Sequence, residues 1–247
     1  MKRLGTMLAT LSTVAVAGCL GAAEYDKRLE GTLELMKYQQ TLDNYLNPAE
    51  QASFKEKEVY VRSPVPLTHD SATTLQVPAG AFDLVESFSG APTNSQGQAS
   101  ALPIRLHVFS RWKKPPKVPT KKGAPPPPVV QRGNFEQEVR SLLATTYGNP
   151  EVPGLKAETV NARGRSFKRL LFKSGADSSV RAYFYDSANH NVALVVDVPS
   201  TLADAKAAGR GVDYMLETLA VGNAARAAFD GRATAGGAAA ASSGASF

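Results

Sequence analysis

Two periods of apolar residues alternate along this chain, one near 3.6 and one of 2, and they divide it into helices and strands. From Glu24 to Asn47 the sequence reads EYDKRLEGTLELMKYQQTLDNYLN, rich in strong helix formers. Tyr25, Leu29, Leu33 and Met36 recur at helical spacing. Leu35, Tyr38, Leu42, Tyr45 and Leu46 form a second stripe, and Pro48 ends the pattern. Val59 and Val61 alternate with Tyr60 and Arg62 in a short strand stopped by Pro64 and Pro66. TLQVPAGAFDLVESFSG predicts irregular chain with short extended pieces, and GAPTNSQGQAS reads as a loop. Ile104, Leu106 and Val108 alternate with Arg105, His107 and Phe109 in the best strand of the first half.

The second half is clearer. GNFEQEVRSLLATTYGNP predicts a helix with Asn134 as N-cap and Gln137 at the capping-box position. Phe135, Val139, Leu142, Leu143 and Thr146 share one face, and Gly148 suits the left-handed position after the helix. Three strands follow: SFKRLLFK, SVRAYFYD and NVALVVDVP. The last has a continuous apolar middle, which suits a central strand buried on both faces. Val212, Met215, Leu216 and Leu219 then mark an amphipathic helix. Early strands, a helix, a three-strand meander and a closing helix predict an α+β fold, an antiparallel sheet covered by helices. There is no internal repeat.

The N-terminus changes the picture from fold to address. Lys2 and Arg3 precede LGTMLATLSTVAVAG, an uncharged run ending in small residues. This is the layout of a secretory signal, and it is short of the about 20 apolar residues that span a bilayer. The only cysteine of the 247-residue chain, Cys19, follows at once in VAGC (Val16 to Cys19). With no second cysteine, no intramolecular disulfide forms.

Charge has one local source. The chain carries a net +6, and loss of Lys2 and Arg3 leaves +4. RWKKPPKVPTKK supplies six positive charges (Arg111, Lys113, Lys114, Lys117, Lys121 and Lys122), so the rest of the mature chain is about −2. Basic residues of a nucleic-acid-binding domain usually spread over a helix or sheet face, and no nucleic-acid partner is expected here. Those six residues are instead candidate contacts to an anionic lipid surface or acidic envelope polymer. The surrounding prolines predict an extended, unpacked loop over 113–131. The Ala, Gly and Ser of the last residues predict a disordered tail over 230–247. The expected layout is a signal peptide at 1–18, an anchor and N-terminal helix at 19–50, and one α+β domain at 51–229.

Candidate chemistry is sparse. His69, His107 and His190 lack metal-ligand spacing to one another or to cysteine, and no metal or cofactor is expected. His69, Asp70 and Ser71 are adjacent, which is not how a triad converges, so they read as a polar loop. His107 is expected on the polar face of its strand and His190 in a solvated hairpin tip. Asp177, Asp186 and Asp197 lie in or near the meander, while Glu136, Glu138 and Glu217 read as exposed helix positions. Trp112 reads as the cap of a strand end, with a membrane interface as the rival role. No phosphate-cradling glycine loop or nucleophile elbow occurs, and no catalytic residue is assigned.

Three resemblances add to this reading. VAGC resembles the lipobox of bacterial lipoproteins, which implies a diacylglyceryl group on Cys19, cleavage before it and a membrane-anchored, exported protein. Val16 stands where leucine is usual, and cleavage after Ala17 or Ala23 is the alternative. YDKRLEGTLELMKYQQTLDNYLNP and YMLETLAVG look like segments of uncharacterised planctomycete-type lipoproteins, which implies an envelope location. The order of elements from Val59 to Leu219 is similar to the PsbP-like fold, whose members generally serve as accessory or assembly subunits of membrane complexes. The resulting expectation is a non-enzymatic envelope protein with a protein partner; the alternatives are a binding module for an anionic surface and an envelope hydrolase.

Overall fold

The computed structural model describes residues 4–50, 52–71, 75–91, 103–114, 132–175, 178–199 and 205–231, with side chains described from residue 24 and, in the last long helix, from residue 209. The chain divides into two compact units, residues 1–44 and 45–247. The first is one helix, α1 (Leu4–Tyr45), that runs on into the first residue of the second unit. Good helix formers and i,i+4 links such as Arg28 to Glu24 (2.6 Å) support it. Tyr25, Leu29, Leu33 and Met36 are exposed. The signal-like segment and the helix read from Glu24 are thus continuous in backbone. No described helix is long and apolar enough to cross a membrane.

The second unit is α+β, as its periodicity predicts. Its elements are α2 (Ala52–Glu56), β1 (Val59–Tyr60), β2 (Thr68–His69), β3 (Leu84–Gly90), β4 (Ile104–Trp112), α3 (Phe135–Thr146), β5 (Glu158–Ala162), β6 (Arg165–Ser174), β7 (Ser178–Asp186), β8 (His190–Pro199), α4 (Ala205–Thr218), β9 (Ala220–Val221) and α5 (Asn223–Phe229). Seven strands form one antiparallel sheet in the order β2-β3-β4-β8-β7-β6-β5. β1 pairs with β9 in a separate two-stranded ribbon. β8 holds the centre, bonded to β4 and β7. Val192 to Val196 are at most 1% exposed, which accounts for the unbroken apolar run.

The period of 2 assigns the two faces. Phe109, Ala193, Val195, Ala182, Phe184, Leu170 and Phe172 share one face with α3, whose Phe135, Val139, Leu142 and Leu143 pack into the same cluster. Leu106, Val108, Leu194 and Val196 lie on the opposite face and are also buried, as are Val212, Met215 and Leu216 of α4. The Arg165 guanidinium donates to the Glu217 carbonyl (2.7 Å) and ties β6 to the end of α4.

Several expectations need correction. β3 is a regular strand, although Glu86, Ser87, Ser89 and Gly90 lower its local β propensity. Full pairing with β4 overrides that. Gly90 is there for space: a Cβ would lie 2.7 Å from the Pro66 carbonyl oxygen. His69 belongs to an edge strand rather than a loop, and its Nε2 meets Glu86 at 2.7 Å. β5, β9, α2 and α5 were absent from the predicted elements. The loop at 115–131 and the tail from residue 232 lie outside the described residues.

Candidate functional site: a polar cavity beneath the end of α3

Along the α3-covered face, β4 presents Phe109, His107 and Arg105 in succession, and β8 presents Ala193, Val195 and Asp197. The face therefore turns from apolar to polar toward one end. α3 ends over that region, because Asn134 caps its start and Gly148 (φ +62°) follows its last turn. Tyr147, the C-cap, stacks edge-on to Phe172 with centroids 5.8 Å apart. Where the helix stops, a cavity of about 430 Å³ remains. Its walls are Arg105, His107, Ser174, Ser178 and Asp197 from four strands, Leu142, Thr145, Thr146 and Tyr147 from α3 and its cap, and Gln76.

The polar groups are balanced inside the protein. Asp197 is nearly buried; Arg105 lies 4.0 Å away, and the Ser178 hydroxyl donates to its carboxylate. The Tyr147 hydroxyl also pairs with Asp197, and burial, then the charge of Asp197, pushes its pKa up. His107 is buried, not on a solvated face, and its Nδ1 lies 2.8 Å from Ser87 Oγ. Burial first, then Arg105, lowers its pKa to about 4 against the weaker pull of Asp70, so the ring is neutral at pH 7. Thr145 donates its hydroxyl to the Ser141 carbonyl (3.1 Å), leaving its oxygen lone pairs as acceptors.

A second, more apolar groove of about 600 Å³ runs between residues 76–82 and α3. It shares Gln76, Leu142 and Thr145 with the polar cavity, so the two form one cleft along the helix. Its far end is braced by Asp83 and Arg132, 2.7 Å apart. Burial by itself would raise the Asp83 pKa, but Arg132 and the Trp112 backbone N–H outweigh it and hold the carboxyl below its usual range.

The basic candidates fare differently from one another. Arg111 is 4% exposed and is not available to a surface. It donates to the carbonyls of Ala81 (2.7 Å) and Gly133 (2.9 Å), pairs with Glu138, and lies 5.4 Å from the ring centroids of both Phe82 and Phe135. Lys113 pairs with Asp186, and Lys114 is exposed. Lys117, Lys121 and Lys122 lie outside the described residues, as do Asp177 and the side chain of Cys19. Glu136 and Glu138 are half-buried rather than exposed. Glu136 holds Arg140 (2.6 Å) and Lys168 (3.0 Å).

His190 is not solvated: it is fully buried, with its ring 4.1 Å from that of Trp112. Neither ring nitrogen makes a hydrogen bond of good geometry. Burial lowers its pKa, with the nearby Lys57 carbonyl opposing. Trp112 does close the end of β4. Among the described residues, no group of three or more His, Cys, Asp or Glu side chains is placed to hold a metal ion.

The residues that sequence reasoning missed at the cavity are Arg105, Ser174, Ser178 and Tyr147. Only Arg105 carried a signal, the alternation that ends an apolar strand face in a charge; nothing local marked Ser174, Ser178 or Tyr147. No protein-family model matches the chain, and no curated protein matches it. One solved structure that it resembles weakly is a protein from Bacteroides thetaiotaomicron, at 8% identity and a TM-score of 0.34. That likeness covers 67% of this chain and 46% of the other.

Proposed function

We propose that this chain is a lipid-anchored protein of the cell envelope whose second unit is a non-enzymatic binding subunit, accessory to a membrane-associated complex. The cavity beneath α3 carries the binding part of this reading. Its charged and titratable groups are already satisfied: Asp197 has Arg105 as counter-charge and accepts from the Ser178 and Tyr147 hydroxyls, and burial keeps His107 neutral. A general base works best with a pKa near the working pH, and a nucleophile needs an open approach. A cavity whose titratable groups are already paired or neutral, with uncharged polar side chains around them, favours recognition over turnover. The anchor part rests on VAGC at the end of the signal-like run. The full chain, solubilised from membranes and affinity-purified, is expected to bring down a stoichiometric membrane-associated protein. A chain that purifies alone after mild cross-linking would refute the accessory role.

One observation favours the hydrolase alternative: Ser87 Oγ lies 2.8 Å from His107 Nδ1, and His107 reaches the cavity wall. Ser87 is itself buried, 5% exposed, and is not among the cavity-lining residues. Turnover of short-chain p-nitrophenyl esters that disappears in Ser87→Ala would establish that reading. The expected result is no turnover above background.

A further inference from the structure

We infer that the cavity beneath α3 binds an uncharged, hydroxyl-rich sugar ring, with the adjoining groove continuing the site for a short oligosaccharide. This inference rests on the binding reading above and adds the ligand class. At about 430 Å³ the cavity falls within the range of small-molecule sites, about 300–1,000 Å³.

Charge decides the ligand class. An anion at the Arg105 guanidinium would also face the Asp197 carboxylate 4.0 Å from it. A cation drawn to Asp197 would face Arg105, and the carboxylate already has the Ser178 and Tyr147 hydroxyls on it. His107 is neutral at pH 7 and adds no charge. The net charge of the lining is therefore zero, while its hydrogen-bonding capacity is high. Gln76, Ser174 and Thr146 bring groups that both donate and accept, and Thr145 brings an acceptor. Sugar hydroxyls donate and accept in the same way. The Tyr147 ring and Leu142 supply an apolar wall for the C–H face of the sugar. The groove toward Phe82 and Asn134 shares three residues with the cavity, which gives a ring in the cavity room to extend along the helix.

Isothermal titration calorimetry of the full chain in detergent tests this. The probes are maltotriose, cellotriose and triacetylchitotriose, with glucuronic acid, glucosamine and alanine as anionic, cationic and zwitterionic controls. At least one neutral trisaccharide is expected to bind in the millimolar range or tighter. Ser174→Trp, at a strand end on the cavity wall, is expected to weaken it at least about tenfold, a shift of about 1.4 kcal/mol. Arg105→Gln takes the counter-charge from Asp197, leaves the lining with a net negative charge, and is expected to let glucosamine bind, which the parent excludes. Thermal melting checks that both variants fold. Three results would overturn the inference: no neutral probe bound at about 20 mM, tighter binding of a charged control that Arg105→Gln removes, or full binding by Ser174→Trp. If no sugar binds but a membrane-associated protein co-purifies, the ligand class is wrong and the binding reading stands.

Discussion

His107 shows how a single position can be read correctly as to its strand and wrongly as to its surroundings. Alternation with Leu106 and Val108 suggests a polar face, yet α3 and its neighbours cover that face and leave the ring 3% exposed. Burial depresses its pKa from 6.5 to about 4. A folded-state pKa below the unfolded value means the unfolded chain binds the proton better. The contribution of neutral His107 is therefore complete above about pH 6.5 and is lost as pH falls toward 4. The full loss is about 3 kcal/mol, at 1.36 kcal/mol per pKa unit. Urea unfolding at pH 7.5, 6, 5 and 4.5 is expected to show this decline, and His107→Asn to flatten most of it. The remainder belongs to His190, whose shift acts in the same direction, and near pH 4.5 to Glu136 and Asp83, whose lowered pKa values also make stability fall with pH. An unchanged slope in His107→Asn would place the acid sensitivity elsewhere. Gly90 makes a second prediction at this scale. Its missing Cβ leaves room for the Pro66 carbonyl, so Gly90→Ala must displace backbone and is expected to cost about 1–3 kcal/mol in chemical denaturation.

Among the elements, α3 is the one whose ends and face were all readable. Asn134 accepts a hydrogen bond from the Gln137 backbone N–H at 3.1 Å, as a capping residue should. The capping box is completed differently: Glu138, not Gln137, reaches back, to the Gly133 N–H at 2.8 Å. Asn134→Ala is expected to cost about 1 kcal/mol, and Asn134→Asp much less, as measured by equilibrium unfolding. Equal losses in the two variants would mean that the side-chain oxygen is not the cap. β3 is the opposite case. LVESFSG reads as no more than irregular chain with short extended pieces, and seven backbone pairs with β4 make it a strand.

For the molecule as a whole, the seven-stranded sheet stands or falls with β8. Val196 faces Arg181 across β7, so an introduced carboxylate there would find a partner. Ala193 lies between Phe109 and Phe184 on the α3 face, without such relief. Ala193→Asp is therefore expected to cost several kcal/mol and to abolish cooperative unfolding. A melting temperature within a few degrees of the parent would contradict the central placement of β8. The anchor is tested separately. Intact mass of the membrane-fraction protein is expected to show a chain beginning at lipid-bearing Cys19, and Cys19→Ala to lack that modification. An unmodified chain beginning at Glu24 would remove the anchor.

Local signals determined the parts of this protein that depend on near neighbours. Periodicity and capping residues gave away α3, α4, the three-strand meander and the α+β class. Each rests on interactions spanning a few residues or on a stripe that must be buried somewhere. What lay far apart in the chain was decided only by tertiary packing. Arg105 and Asp197 face each other because β4 and β8 are neighbours, although 92 positions separate them in the chain. Arg111 was grouped by charge with the lysines that follow it, but the Ala81 and Gly133 carbonyls and the rings of Phe82 and Phe135 draw it inward. His190, placed by its polar neighbours at a solvated tip, lies under Trp112 because pairing of β4 with β8 brings the two rings together. The cavity beneath α3 exists because the helix stops at Tyr147 while the strands below it continue, a mismatch of lengths that no single segment contains.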